Sequence, residues 1–474
     1  MNGENKNTVI AVVGKGLAWT TFGTIASKFV GFASTFLILK HMSISEYGLL
    51  ELALATIAIF NFFFLPGVQQ VVIVDISKAI ANNDTSHARA ITRSFFRIQM
   101  LLSIVAFIVI IGLSYIPIVH VGDVSRQIMR ILAFGFLLSP LRQTANTILA
   151  ATYHFKHKVV AGIVEETAKC LLLILFFLIL KQHGPVSVAY SIILASLVQY
   201  PIIIPMYLRV IKKWNIARTH VNIFSYIKGQ SFFAMLTSYA TTFGQSARLW
   251  IIRVFLGPDA VGLFSLALGL YNHTQSLFNV STAILPVLSR YKHEPKHLYR
   301  IAHKAIKYQL IFFVVTGLLA ISFGPLLLKL LLPKYIPVLP LYFIMLLAVM
   351  SSAFAVVFTA LFQAIGAQKD LFIATAIKTV LILALCPIAI LVFGVYGPSV
   401  ELVLTITLFS LLRYKVLAHD MPGFKIHVAN FFSFDEDDKT ILAIVKKKLS
   451  PLTNKFAFTR RLVGQPVLVD EVSD

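Results

Sequence analysis

The chain has 474 residues, of which 58% are hydrophobic and only 13% are charged. Soluble domains are roughly 45–50% apolar and about 25% charged, so this composition excludes a soluble globular protein and indicates a polytopic membrane protein. The net charge of +22 would suggest nucleic acid as the partner of a soluble chain. Here we expect no nucleic acid, because the charge follows the topology described next.

The hydropathy pattern predicts an all-α polytopic membrane protein of about 12 transmembrane helices, at ~20 apolar residues per span. With both termini in the cytoplasm, most of the 42 Lys and Arg residues fall in cytoplasmic segments, as the positive-inside rule requires. We expect a multi-pass protein of the inner (plasma) membrane. The candidate spans are 16–39, 47–74, 98–119, 128–152, 159–180, 185–208, 231–254, 260–288, 304–332, 336–364, 370–393 and 397–417.

The first span carries hydroxyl and glycine residues at helical spacing around one ammonium group, that of Lys28. Such a stripe favours helix–helix packing in membranes. Lys28, however, lies about a dozen residues from either end of the span, roughly 18 Å at 1.5 Å per residue. A charge at that depth needs a partner or a water-filled cavity, so Lys28 is a candidate functional residue. The stripe contains Thr20, Thr21, Thr24, Ser27, Lys28, Gly31, Ser34 and Thr35.

The second span is interrupted by Pro66-Gly67, where we expect a kink because proline removes a backbone hydrogen bond. The fourth span places Arg142 near mid-membrane. In the fifth span, Glu165 and Lys169 stand at i and i+4, the favourable order for an ion pair within one helix. That pair could be purely structural, and the pattern leaves Glu166 without a local partner.

The second half of the chain repeats the sequence pattern of the first half. WTTFGTIASKFVGFASTFLILKHMSISEYGLL aligns with the segment 214 positions later, pairing Phe29 with Phe243 and Gly48 with Gly262. Two six-helix lobes in the same orientation follow, related by an axis along the membrane normal and separated by a cavity. The predicted parts are an N-terminal lobe 1–211, a linker 212–230, a C-terminal lobe 231–420 and a cytoplasmic tail 421–474, which rests on the inner leaflet or on the lobes.

Charged residues on matching spans point toward this cavity. The second lobe contributes Arg248 and Lys378, and five cations within the spans outnumber Glu165 and Glu166. Buried cations need water, counter-charge or ligand, so the pattern predicts an anionic substrate. No carboxylate pair, Ser/His/Asp set, metal-ligand cluster or phosphate-binding glycine loop stands at a plausible depth, so we expect no enzyme, cofactor or metal site.

The segment FVGFASTFLILKHMSISEYGLL, the later PGVQQVVIVDIS and the stretch LFQAIGAQKDLFIATAIKTVLILALCPIAILVFGVYGPSV resemble the Wzx-type polysaccharide (O-antigen repeat-unit) flippases of the multidrug/oligosaccharidyl-lipid/polysaccharide (MOP) exporter superfamily. The resemblance covers residues 10–420 and implies a MATE-like architecture with alternating access. The cargo would be a polyprenyl-diphosphate-linked oligosaccharide moved from the inner to the outer leaflet. Implied partners are membrane lipids, a polysaccharide polymerase and glycosyltransferases.

By matching position, the resemblance assigns substrate binding to Lys28, Arg248, Arg142 and Lys378. Independently, Arg suits phosphate through its bidentate fork and Lys through its point charge. Glu166, with Glu165, is the hypothesis for binding a coupling proton or sodium ion, and a salt bridge from Glu166 to Lys28 or Lys378 is the alternative. A multidrug exporter of the same superfamily and a non-transporting lipid scaffold or scramblase are the alternative functions.

Overall fold

A computed structural model describes residues 3–116, 122–215, 229–276 and 294–421, together with a few isolated positions between and after these ranges. Regular structure in these residues is entirely helical. The fifteen α-helices are α1 (Gly3–His41), α2 (Ile44–Ile59), α3 (Val68–Ala81), α4 (Thr85–Tyr115), α5 (Asp123–Ala151), α6 (Phe155–Ile174), α7 (Pro185–Val198), α8 (Tyr200–Lys212), α9 (Gln230–Leu256), α10 (Pro258–Ser276), α11 (Pro295–Leu331), α12 (Val338–Leu346), α13 (Val349–Ile365), α14 (Gln368–Phe393) and α15 (Gly397–Asp420).

Among the described residues, six helical segments are long and apolar enough to cross a membrane, and a seventh arises if α12 and α13, bent by 54°, form one span. The last of the six, Gln368–His419, contains both α14 and α15, which pack against each other after a tight turn at Gly394–Tyr396. The other five are Ile44–Ala81, Thr85–Tyr115, Asp123–Ala151, Pro185–Lys212 and Lys296–Leu331.

Large apolar side chains cover the outer faces of these helices. Phe29 is 79% exposed, and Leu330 and Leu391 are each 76% exposed. A water-soluble protein rarely exposes apolar area on this scale, whereas a bilayer provides an apolar solvent for it. The chain is therefore an all-helical membrane protein.

The second predicted span is broken where the sequence indicates. α2 ends at Ile59, one turn of 3₁₀-helix follows from Phe60 to Phe64, and α3 starts at Val68. Leu65 and Gly67 have positive φ angles of 50° and 92°. The interruption predicted at Pro66-Gly67 is confirmed, and glycine at position 67 allows a backbone conformation that is strained for other residues.

Helices from the two ends of the chain pack against each other in one compact unit, Met1–Gly423. α1 packs on α6, α9 packs on α14, and α2 packs on both α9 and α10. Trp250 Nε1 on α9 donates a hydrogen bond to Thr56 Oγ1 on α2 at 3.1 Å. Residues Phe424–Asp474 form a second unit. Nearly all of the predicted tail and much of the predicted linker lie outside the described residues.

Candidate functional site

A polar cavity of about 640 Å³ lies between α1, α6 and α10. On α1, the residues that line it are Gly23 and five members of the stripe found in the sequence, Lys28 among them. α6 forms the facing wall and α10 adds His273. The lining residues are Gly23, Thr24, Ser27, Lys28, Gly31, Thr35, Lys158, Val159, Gly162, Glu166, Lys169 and His273.

Gly23 lets the two long walls of the cavity come close together. A Cβ atom at Gly23 would lie only 2.3 Å from Val159 Cγ1, whereas one at Gly31 would be in ordinary van der Waals contact, 3.8 Å from Glu166 Oε2. Small residues at such contacts let helix backbones approach in a membrane. Gly23 therefore serves packing, while the hydroxyls of the stripe and Lys28 line the space that remains.

The two carboxylates of α6 are paired differently from the prediction. Glu165 Oε1 lies 3.1 Å from Nη1 of Arg142 on α5, and Glu166 Oε2 lies 2.5 Å from Lys169 Nζ. The prediction that Glu165 pairs with Lys169 is therefore wrong, and so is the prediction that Glu166 has no partner nearby on its helix. Residues at i+3 share a helix face as well as those at i+4, and the sequence could not show that Arg142 approaches Glu165 from another helix.

The cavity is basic. Lys28, Lys158, Lys169 and the titratable His273 line it together with one carboxylate, that of Glu166. Sequence reasoning did not select Lys158 or Lys169 as site residues. The signal was present, because Lys158, Gly162, Glu166 and Lys169 recur every three or four residues and so share one helix face. Lysines on a helix face that also carries glycine and a carboxylate are better candidates for a binding site than a single isolated charge.

Arg248 lies in a buried ion pair. Its Nε and Nη2 donate to Glu401 Oε2 at 2.6 Å and to Glu401 Oε1 at 3.2 Å, and Thr405 Oγ1 donates to Oε1 at 2.6 Å. Arg248 is 4% exposed and Glu401 is fully buried. In the sequence, the buried cations were compared only with Glu165 and Glu166, and Glu401 was missed. Its signal was a carboxylate within an apolar segment, which demands a partner.

Lys378 also lies in a packed cluster between α14 and α15. Its Nζ is 4.9 Å from the ring centroid of Phe409, and the Arg413 guanidinium lies 3.8 Å from the same centroid. Arg413 further donates to the carbonyl oxygen of Ala355 at 3.0 Å. Cation–π contacts hold both charges against the aromatic ring. Of the four predicted substrate-binding residues, Lys28 lines the polar cavity, whereas Arg142, Arg248 and Lys378 are not among its described lining residues.

An apolar cavity of about 660 Å³ adjoins the polar one, and Thr35 and His273 line both. It lies between α1, α10 and α11, with walls of leucine and phenylalanine. Among its lining residues are Phe32, Phe36, Leu39, Leu266, Gly269, Leu270, Leu319, Phe323, Gly324, Leu327, Leu331 and Leu339. Within the described residues, no group of three or more His, Cys, Asp or Glu side chains comes together that could hold a metal ion.

Solved structures show which fold this is. The chain is similar to an inward-facing multidrug resistance MATE family transporter of the MOP superfamily, with a TM-score of 0.71 and 14% identity over 83% of this chain and 94% of that one. An outward-facing conformation of such a transporter gives a TM-score of 0.64 and 15% identity, covering 87% and 96% of the two chains. A MOP superfamily transporter from Pyrococcus furiosus, described as having a binding pocket of reverse polarity that suggests a different function, gives 0.60 and 14%, covering 88% and 96%.

These likenesses establish the class, an all-helical membrane protein with a MATE-like fold. A search of curated protein sequences found no significant match. The family model for polysaccharide biosynthesis proteins matches residues 13–292, more than half of the chain. The protein therefore belongs to the polysaccharide biosynthesis protein family.

Proposed function

We propose that this protein is a flippase that moves polyprenyl-diphosphate-linked oligosaccharide repeat units from the inner to the outer leaflet by alternating access. The observation that carries the proposal is the pair of adjoining cavities, one basic and one apolar, that share Thr35 and His273. A lipid-linked glycan has the same two parts, an anionic head and a long apolar tail. Membership of a polysaccharide biosynthesis family supports this cargo.

The basic cavity suits the diphosphate. Lys28, Lys158 and Lys169 place three ammonium groups around its wall, and ammonium groups bind phosphate oxygens as flexible point charges. Lys28 is the residue that we propose to contact the diphosphate, and Lys158 and Lys169 are additional ligands.

Arg142, Arg248 and Lys378 complete the proposed set of substrate-binding cations. Arg142 is paired with Glu165 and Arg248 with Glu401, so each must exchange a carboxylate for a phosphate oxygen before it contacts substrate. Direct contact with the cargo stays a prediction for these residues. In the paired state they stabilise the walls around the pathway.

The proposed architecture has twelve spans in two six-helix lobes, 1–211 and 231–420, joined by a linker at 212–230. The sequence repeat at an offset of 214 supports it, as does the packing of α2 on α9 and α10. Both termini and the tail from residue 421 face the cytoplasm of the inner membrane in this proposal, in keeping with the distribution of Lys and Arg. Glycosyltransferases that build the lipid-linked glycan and a polymerase that consumes it are the proposed partners.

Replacement of Lys28 tests the function. We expect Lys28→Ala to make lipid-linked repeat units accumulate in the inner leaflet, and Lys28→Arg to retain more transport because it keeps the charge. Lys40→Ala is the matched control, since Lys40 is an exposed lysine at the end of the same helix. Accumulation is measured by extracting lipid-linked glycan from cells that express each variant. Unchanged levels with Lys28→Ala would contradict the flippase proposal.

Energy coupling is proposed to involve Glu166, together with Glu165. Glu166 lines the cavity and is paired with Lys169, so protonation or cation binding at its carboxylate would release an ammonium group for the substrate. We expect Glu166→Gln to abolish the dependence of transport on an ion gradient. The measurement is glycolipid movement in vesicles with and without proton or sodium gradients. Full gradient dependence in this variant would exclude the coupling role.

A further inference from the structure

α2 and α10 touch backbone to backbone at two glycines. A Cβ atom at Gly48 would lie 2.0 Å from the carbonyl oxygen of Pro258, and one at Gly262 would lie 2.3 Å from the carbonyl oxygen of Ile44. Real Cβ atoms do not come that close to backbone oxygens, so any larger residue at either position forces the two helices apart. The contact therefore depends on the absence of a side chain.

The crossing is reciprocal in a way that matches the sequence repeat. Ile44 and Pro258 are 214 positions apart, and so are Gly48 and Gly262. Each half of the chain thus presents a glycine to the same carbonyl position of the other half. A self-complementary contact of this kind forms on a two-fold axis between equivalent elements.

A second contact between the halves lies at the same end of the bundle, where α1 ends and α2 begins. Lys334 Nζ donates to the carbonyl oxygens of Lys40 at 3.1 Å and of Met42 at 2.5 Å. These carbonyls lie in and just after the last turn of α1, where backbone acceptors lack helical partners and a cation is favoured. The neighbouring Tyr335 packs edge-on against Tyr47 of α2, with ring centroids 6.5 Å apart.

The apolar cavity reaches this end, where Leu39 and Tyr47 line it next to Lys40 and Gly48. The polar cavity lies further inside, and Thr35, which lines both, precedes Lys40 by five residues, roughly 8 Å along α1. The two halves therefore meet tightly at the α1–α2 end, directly beside the two cavities. This is the arrangement of a closed gate above a binding site.

We propose that the Gly48–Gly262 crossing, secured by Lys334, is the gate that closes the α1–α2 end of the transport pathway and must part when the substrate leaves there. This inference rests on the alternating access of the proposed function. Glycine at both positions lets the closed state form without a gap. A larger residue at either glycine position holds the two helices apart and so favours the open gate.

Alanine separates this role from a general effect on the helices. Alanine is a better helix former than glycine, so Gly48→Ala and Gly262→Ala support their own helices while blocking the contact between them. Gly112→Ala on α4 is the matched control, because no atom lies within 4 Å of its added Cβ. Lys334→Met removes the second contact, and Lys329→Met replaces an exposed lysine nearby on α11.

The experiment measures access to the cavity and needs no substrate. Thr35→Cys in a background with Cys170→Ser and Cys386→Ser provides the only thiol, and a membrane-impermeant maleimide is added to intact cells or to inside-out vesicles. Gly48→Ala, Gly262→Ala and Lys334→Met should each raise the labelling rate from the α1–α2 side roughly tenfold, as when an open state goes from about 1% to about 10% populated. Labelling with Gly112→Ala and Lys329→Met should match the parent.

Labelling unchanged from the parent in all three variants would overturn the gate. If the glycine variants do not yield monodisperse protein, Lys334→Met decides alone, and an unchanged rate for it likewise overturns the proposal. Because labelling is read without glycolipid, a failure of the Lys28 transport test would leave this result readable. The two proposals can therefore fail separately.

Discussion

The buried pair of Arg248 and Glu401 shows that a charge in an apolar sequence can have its partner on a distant helix. Arg248 donates to both oxygens of the Glu401 carboxylate, which also accepts a hydrogen bond from Thr405, and its contact with substrate stays a prediction. Two charges removed from water are stable only if they satisfy each other, so neither can be lost alone. The role of this pair in the described conformation is to fix α9 against α15.

Removing one partner should be costly. We expect Glu401→Gln to lower the free energy of unfolding by about 3–5 kcal/mol, because it leaves the Arg248 guanidinium buried without a counter-charge. Thermal unfolding in detergent measures the change. The double variant Arg248→Met with Glu401→Leu should recover much of the loss, since it removes both charges and keeps the volume.

An exposed pair supplies the control. Asp123, whose side chain is 91% exposed, pairs with Arg126 three residues later. Asp123→Asn should change the free energy of unfolding by no more than about 1 kcal/mol, because exposed ion pairs are screened by water. If Glu401→Gln and Asp123→Asn changed the free energy of unfolding equally, the buried pair would matter no more for stability than the exposed one.

At the scale of helices, the sequence is a good guide where the cause is local. The break at Pro66-Gly67 was predicted because proline and glycine act on the backbone of their own segment, and α2 ends and α3 begins on either side of it. The polar stripe of α1 was likewise readable from its spacing, and it lines the basic cavity. Both features depend on one element alone.

Contacts between helices could not be predicted in the same way. The pairing of Glu165 depends on Arg142, which is 23 positions earlier, and that of Arg248 on Glu401, which is 153 positions later. A helical period shows which residues share a face but does not show which helix that face meets. The prediction was therefore right about Lys28 lining a cavity and wrong about the partners of Glu165 and Glu166.

For the whole molecule, the decisive feature is the joining of two unlike cavities at Thr35 and His273. A site for a small organic cation would need a single acidic pocket, whereas this one combines lysines with a separate apolar chamber. In the proposed function, each cavity would contribute a different part of the binding energy for an amphiphilic cargo. The head and the tail should therefore be separable by experiment.

We expect a polyprenyl diphosphate to stabilise the purified protein more than inorganic diphosphate or polyprenol alone. A ligand that binds only the folded state adds about 2.7 kcal/mol at one hundred times its Kd, which a thermal shift detects. Lys28→Ala should reduce the stabilisation by the diphosphate and leave that by polyprenol. Gly269→Leu, which places a side chain in the apolar cavity where no atom lies within 4 Å, should do the reverse.

Gly112→Leu controls for the added bulk, since Gly112 also faces open space and does not line either cavity. If inorganic diphosphate alone stabilised the protein as much as the whole lipid, the apolar cavity would have no part in binding. If polyprenol alone stabilised it as much as the whole lipid, the basic cavity would have no part in binding. Loss of stabilisation by the whole polyprenyl diphosphate in both Lys28→Ala and Gly269→Leu would instead mean that one molecule occupies both cavities, because a ligand confined to one cavity would respond to only one of the two changes.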